Sequence, residues 1–128
     1  MAVITSYQTT FLDYLSLQFK EEEPAGLYDP MRYILELGGK RIRPVLALLA
    51  ADAVGGDVKK ALPAALAVEV FHNFSLVHDD IMDDAPLRRG KATVHEKWDA
   101  NTGILSGDVM LVKAYQCLDA YPAELFKE

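Results

Sequence analysis

The chain has 128 residues, 51% apolar and 25% charged, with a net charge of -6; this composition excludes a disordered segment. The acidic balance excludes general nucleic-acid binding, which needs a broad basic surface, so any phosphate chemistry has to come from a local site. Cys117 stands alone, which excludes a disulfide framework and a cysteine metal centre and fits a reducing cytoplasm.

The N-terminal stretch "MAVITSYQTTFLDYL" lacks the basic start and small-residue cleavage site of a signal peptide. Apolar side chains at Ile4, Tyr7, Phe11, Tyr14, Leu15 and Phe19 recur near a 3.6-residue period and predict a helix over residues 4–20. A short helix is expected from Pro30 to Leu37, with the proline in its first turn and Gly38-Gly39 stopping it. Pro44 is expected to open a buried helix, "PVLALLAADAV", closed by Gly55-Gly56. The longest helix is expected over residues 59–84, with Pro63 near its start and Pro86 ending it. "PLRRGKATVHEKW" reads as a loop around Gly90 that leads into a short helix, and a last helix is expected over 104–121, stopping at Pro122.

Neither long apolar run reaches membrane-spanning length, since Asp52 breaks one and Glu69 the other. No alternating strand pattern, repeat or linker is present. The expectation is one all-α domain over residues 1–128 in a soluble, cytoplasmic protein. The chain stops at "AELFKE" just as a new amphipathic segment begins, so it reads as cut from something longer.

The densest chemistry is in "HDDIMDDAPLRRGKATVH", residues 78–95. On a helix, Asp79 and Asp83 share a face about 40° apart in projection, and like charges at that spacing repel. A solvated helix end is one reading. Against it, the cluster sits at a helix C-terminus, where the macrodipole disfavours negative charge. The same face also runs back through Leu76 and His72 into apolar helix. A divalent cation resolves the repulsion, because carboxylates suit hard ions and Mg²⁺ takes one or two of them with waters and a substrate phosphate. The EF-hand pattern is absent. Arg88 and Arg89, which follow, offer planar forks for phosphate oxygens. "GGKRIRP", residues 38–44, repeats the idea with Lys40, Arg41 and Arg43 around a glycine turn, although a glycine stop followed by solvated charges would look the same.

These stretches, with "GD" at 107–108, resemble the N-terminal part of the trans-polyprenyl diphosphate synthases, which make farnesyl, geranylgeranyl and longer diphosphates. The resemblance implies a helical bundle of the isoprenoid synthase type, of which this chain would be the N-terminal half, acting as a homodimer. It implies Mg²⁺ as cofactor, with Asp79 and Asp83 as ligands and Asp80 in support. Arg88 would contact the allylic diphosphate, and Lys40, Arg43, His72 and Arg89 the isopentenyl diphosphate. Arg41 takes no substrate role. Asp84, His78 and His95 are expected to be structural or solvent-facing, with Lys91 near the rim.

Ionisation of the allylic diphosphate, attack by the isopentenyl double bond and loss of a proton would follow, with no protein nucleophile. Phe74, five positions before Asp79 and about 7.5 Å along the helix, would floor the tail tunnel beside the small Ser75 and limit products to C15–C20. Ordinary core packing is the other reading of Phe74, as it is of His72. Family members are longer and carry a second aspartate-rich cluster and a downstream lysine that this chain lacks, so the chain alone is expected to be inactive. Its apolar helix faces are expected to be exposed and to associate. The competing readings are a non-catalytic short subunit or regulatory partner of a heteromeric synthase, and a plain helical scaffold.

Overall fold

The computed structural model describes residues 2–20 and 22–128. Among these the chain is helical apart from one minimal hairpin. Its elements are α1 (Ala2–Gln18), α2 (Ala25–Glu36), α3 (Ile42–Ala53), α4 (Val58–Met82), β1 (Leu87–Arg88), β2 (Lys91–Ala92), α5 (Val94–Lys97), α6 (Ala100–Cys117) and α7 (Ala123–Phe126), with one 3₁₀ turn at Leu118–Ala120. The all-α expectation holds, and α7 forms where the last amphipathic segment was expected to begin.

Several boundaries differ from the sequence reading. The helix holding Pro30 starts five residues earlier, at Ala25, because the carbonyl of Pro24 accepts the amides of Leu27 and Tyr28 and nucleates the first turn. Pro30 therefore sits inside α2 and forgoes only one early ladder bond. α3 begins at Ile42 rather than Pro44, which leaves the proline in the tolerant first turn. The last long helix runs over Ala100–Cys117, starting four residues early because the Asp99 carboxylate accepts the Thr102 amide at 2.7 Å. The first helix likewise starts at Ala2 and ends at Gln18.

α4 ends at Met82, before Pro86 has any part in stopping it. The Asp84 amide donates to the carbonyl of Ile81 and the Ala85 amide to that of Asp80, while Asp84 itself adopts φ +50°. This is a Schellman ending with aspartate at the left-handed position. The end of α3 has the same bonding, with Gly55 in that place.

The chain divides into two compact units. The first comprises, among the described residues, 2–20, 40–69 and 113–128. Its core holds Tyr7, Phe11 and Leu15 at helical spacing on α1, Val45 and Leu48 on α3, Leu62, Ala65 and Leu66 on α4, and Ala114. The Tyr7 hydroxyl also donates to Asp52, tying α1 to α3. The second unit comprises, among the described residues, 22–39 and 70–112, around Met31, Ile34, Leu35, Val70, Val77, Val94 and Met110. Here the Ser106 hydroxyl donates to the Leu27 carbonyl at 2.8 Å, and the Tyr33 hydroxyl to that of Ala92 at 2.7 Å. Helices α4 and α6 contribute to both units.

Candidate functional site

The C-terminal part of α4 and the hairpin after it carry most of the predicted site. Asp79 lies in the last turn of α4 and Asp83 just past its end, still in helical relation, because the Asp83 amide donates to the Asp79 carbonyl at 2.8 Å. Both carboxylates face solvent. Hard oxygen donors one turn apart and open to water suit an ion that keeps several of its waters, so the pair fits Mg²⁺.

Asp80 does not join them. It is only 4% exposed, and both of its oxygens are taken by Arg88, Nε to Oδ2 at 2.8 Å and Nη2 to Oδ1 at 2.9 Å. This is the fork geometry of the strong arginine–carboxylate pair. The bond to Asp80 raises the Arg88 pKa further above its usual value, with the Asp79 charge adding to it. In this structure both Asp80 oxygens position Arg88. Among the described residues, the trio whose ligand atoms converge is Asp84, His95 and Glu96, and not Asp79, Asp80 and Asp83.

The basic segment "LRRGKA" is not a plain loop. Leu87 pairs with Ala92 and Arg88 with Lys91, and the two-residue turn has positive φ at both Arg89 (+52°) and Gly90 (+75°). Such a turn matches the right-handed twist of a short antiparallel pair. It holds Arg88 on the Asp80 side and leaves Lys91 exposed. The Arg89 guanidinium covers Gly39, where an added Cβ would meet Nη2 at 2.7 Å. Gly39 also has φ +128°, so glycine answers both a backbone and a steric demand there.

Further back on α4, Phe74 is half-buried and stacks edge-on against His78 at 4.8 Å and tilted against Phe71 at 5.4 Å. The Ser75 hydroxyl donates to the His72 carbonyl at 2.6 Å, and His72 is half-buried. His78 Nε2 lies 3.2 Å from the Ile104 carbonyl and 3.7 Å from Asp108. An added Cβ on Gly107 would stand 2.4 Å from that nitrogen. The "GD" at 107–108 therefore serves His78: the glycine gives it room and the aspartate a charge.

In the first unit, Lys40 and Arg43 are exposed and Arg41 is buried. Arg41 caps α3 in the left-handed region (φ 54°) and meets Glu69 at 3.5 Å, both side chains 6% exposed. Of the three cations in "GGKRIRP", the one given no substrate is the one that holds the fold. The partnership with Glu69 had no signal in the sequence, since 28 residues separate the two.

The polyprenyl synthetase family profile matches residues 24–128. The chain is 50% identical over 111 residues to a geranylgeranyl pyrophosphate synthase of Geoglobus acetivorans, covering 84% of this chain and 35% of that protein. It is 46% identical over 94 residues to a farnesyl diphosphate synthase of Micrococcus luteus, covering 72% and 32%. A crystal structure of a geranylgeranyl pyrophosphate synthase superposes with a TM-score of 0.94 at 58% identity, over 97% of this chain and 38% of that one. The chain thus spans about a third of the length of the curated relatives it matches. With the profile covering most of its residues and its helices following those of the solved synthase, the chain belongs to the polyprenyl synthetase family.

Proposed function

We propose that the chain is the front part of a prenyltransferase that condenses isopentenyl diphosphate with an allylic diphosphate. One observation carries this reading above the others. Arg88 is locked by Asp80 through Nε and Nη2, beside the open carboxylates of Asp79 and Asp83, which leaves Nη1 for an anion. A cation fixed by a buried carboxylate next to two solvent-facing ones suits a diphosphate that arrives with its own metal ion.

Asp79 and Asp83 would hold Mg²⁺, which when bound supplies positive charge to the diphosphate as it departs. Arg88 binds the allylic diphosphate, and Lys40, Arg43, His72 and Arg89 orient the isopentenyl diphosphate. The allylic C–O bond breaks with its electron pair leaving on the diphosphate. The isopentenyl double bond then forms the new C–C bond, and a proton is lost from the resulting cation. Apolar side chains along α4 keep water from the cation. Phe74, backed by Phe71 and His78, floors the path of the tail at C15–C20. The 128 residues alone are inactive, because they lack the second aspartate-rich cluster that the resemblance implies. They pair with a second copy through apolar side chains exposed on α4 and α6, among them Phe71, Leu105 and Val112. The lone Cys117 supports a reducing compartment, and among the described residues no helix is long and apolar enough to cross a membrane.

The test is a chimera in which this chain replaces the matching part of the Geoglobus acetivorans synthase. With Mg²⁺ and an allylic diphosphate, the chimera should incorporate labelled isopentenyl diphosphate, and the 128-residue chain should not. Asp79→Ala or Asp83→Ala should each lower turnover by about 10²-fold or more, the usual scale for losing charge stabilisation in a transition state. A folded but inactive chimera would favour the non-catalytic subunit instead. Turnover by the short chain alone would end the claim that it is incomplete.

A further inference from the structure

The turn after α4 and the start of α5 are laced together by a buried threonine. The Thr93 hydroxyl donates to the Ala85 carbonyl at 2.8 Å and its amide to the Pro86 carbonyl at 3.1 Å. That lacing brings Asp84, at the left-handed position ending α4, against His95 and Glu96 in the first turn of α5. The ligand atoms of these three all lie within 4.8 Å of one another. His95 Nε2 is 3.9 Å from Asp84 Oδ1 and 3.9 Å from Glu96 Oε1, beyond hydrogen-bond reach in both cases.

The His95 side chain is 9% exposed, and neither of its ring nitrogens has a hydrogen-bond partner. A buried imidazole with both nitrogens unsatisfied is costly and calls for an occupant. The carboxylates around it are the opposite case, with Asp84 95% exposed and Glu96 49%. The site therefore has a fixed nitrogen at its base and two adjustable oxygens at its mouth, and it opens to water.

We propose that Asp84, His95 and Glu96 form a site for one divalent transition ion of the zinc class, separate from the Asp79–Asp83 pair and independent of the catalytic reading above. The donor set decides the class of ion. Mg²⁺ favours an all-oxygen shell, whereas an imidazole suits zinc and its neighbours, and two carboxylates balance the dication's charge. Bond lengths of about 2.0–2.2 Å place tetrahedral donors roughly 3.4 Å apart. Closing asks for about half an ångström from each carboxylate to His95 and up to about 1.4 Å between the two carboxylates, which side-chain rotation of the exposed Asp84 and Glu96 supplies while His95 stays in place. Water takes the remaining position. The ion ties the end of α4 to α5, and so fixes the base of the hairpin that carries Arg88 and Arg89.

The test uses the 128-residue chain carrying Asp79→Asn and Asp83→Asn, so that the neighbouring carboxylates do not compete. Zn²⁺ is titrated calorimetrically in the presence of excess Mg²⁺, and the imidazole nitrogens of His72, His78 and His95 are followed by ¹⁵N NMR. One Zn²⁺ per chain is expected, with a large shift at His95 Nε2 and none at His72 or His78. Because His95 is buried, Asp84→Asn and Glu96→Gln carry the mutational test, and each should weaken Zn²⁺ binding by about tenfold or more. Unchanged Zn²⁺ affinity in both variants would overturn the proposal. So would His95 ring nitrogens whose ¹⁵N signals do not move on addition of Zn²⁺.

Discussion

Replacing Arg88 with alanine isolates what the pair with Asp80 contributes. The Asp80 side chain is 6% exposed and receives two charge-assisted bonds at 2.8 and 2.9 Å. Without Arg88 that carboxylate stays buried with its charge uncompensated, a change that typically costs about 3–5 kcal/mol. The lower end applies, because the Arg88 side chain is itself 25% exposed and water can partly replace it. Lysine in the same place keeps the charge but loses the fork, so Arg88→Lys should cost about 1.5–3 kcal/mol, the scale of one bond to a charged group. Removing both charges with apolar residues of similar size, Asp80→Leu with Arg88→Met, should restore most of the loss, since a buried ion pair is worth little net against good packing. Urea unfolding of the 128-residue chain, followed by helical circular dichroism, reads all three. The comparison requires an unchanged slope against urea. If Arg88→Ala loses under about 1 kcal/mol and the double variant is no more stable than the single, Asp80 is not held by Arg88, and its oxygens are open to a metal ion.

Glu69→Ala should destabilise the chain by about 2 kcal/mol or more, because it removes the carboxylate facing the buried Arg41 guanidinium, whereas Arg43→Ala on the exposed face of the same motif should stay within about 0.5 kcal/mol; comparable losses would mean that burial does not separate the two arginines. Phe74→Ala in the chimera should lengthen the products at similar overall turnover. An unchanged product distribution with a loss of about 3–5 kcal/mol in stability would make Phe74 a packing residue.

The helices were legible because their periodicity and breakers are local. What the sequence misplaced depends on contacts made across the chain or on the identity of a cap. Asp79 and Asp80 are neighbours on one helix, about 100° apart, and nothing in "HDDIMDD" says which faces solvent. The answer lies eight residues on, where the hairpin delivers Arg88 to Asp80. That hairpin was itself hidden, because two-residue strands are too short to show alternation. Pro30 looked like a helix start because proline is common there, but the carbonyl of Pro24 had already begun the turn. His95 looked structural from sequence alone. Its two unsatisfied nitrogens and its carboxylate neighbours emerge only once Thr93 has joined the two segments.

Backbone strain marks the same places. Among the described residues, the non-glycine positions with positive φ are Arg41, Asp84 and Arg89. Each is charged, and each lies in one of the two charged stretches that carry the family resemblance. Glycine would relieve all three, as it does at Gly55, where the end of α3 repeats the bonding around Asp84 without a side chain. Holding a side chain in the left-handed region costs on the order of 1–3 kcal/mol, less for aspartate, which visits it readily, and two of the three side chains offset that cost through what they reach. Arg41 reaches the buried Glu69, and Arg89 lies over Gly39 and joins the two basic motifs. Asp84 alone reaches no stabilising partner of that kind: its carboxylate stands exposed, 3.9 Å from an unsatisfied imidazole. The Schellman bonds hold its backbone in place, but of the three side chains it is the one left without a close partner, which an ion bound between it and His95 would supply.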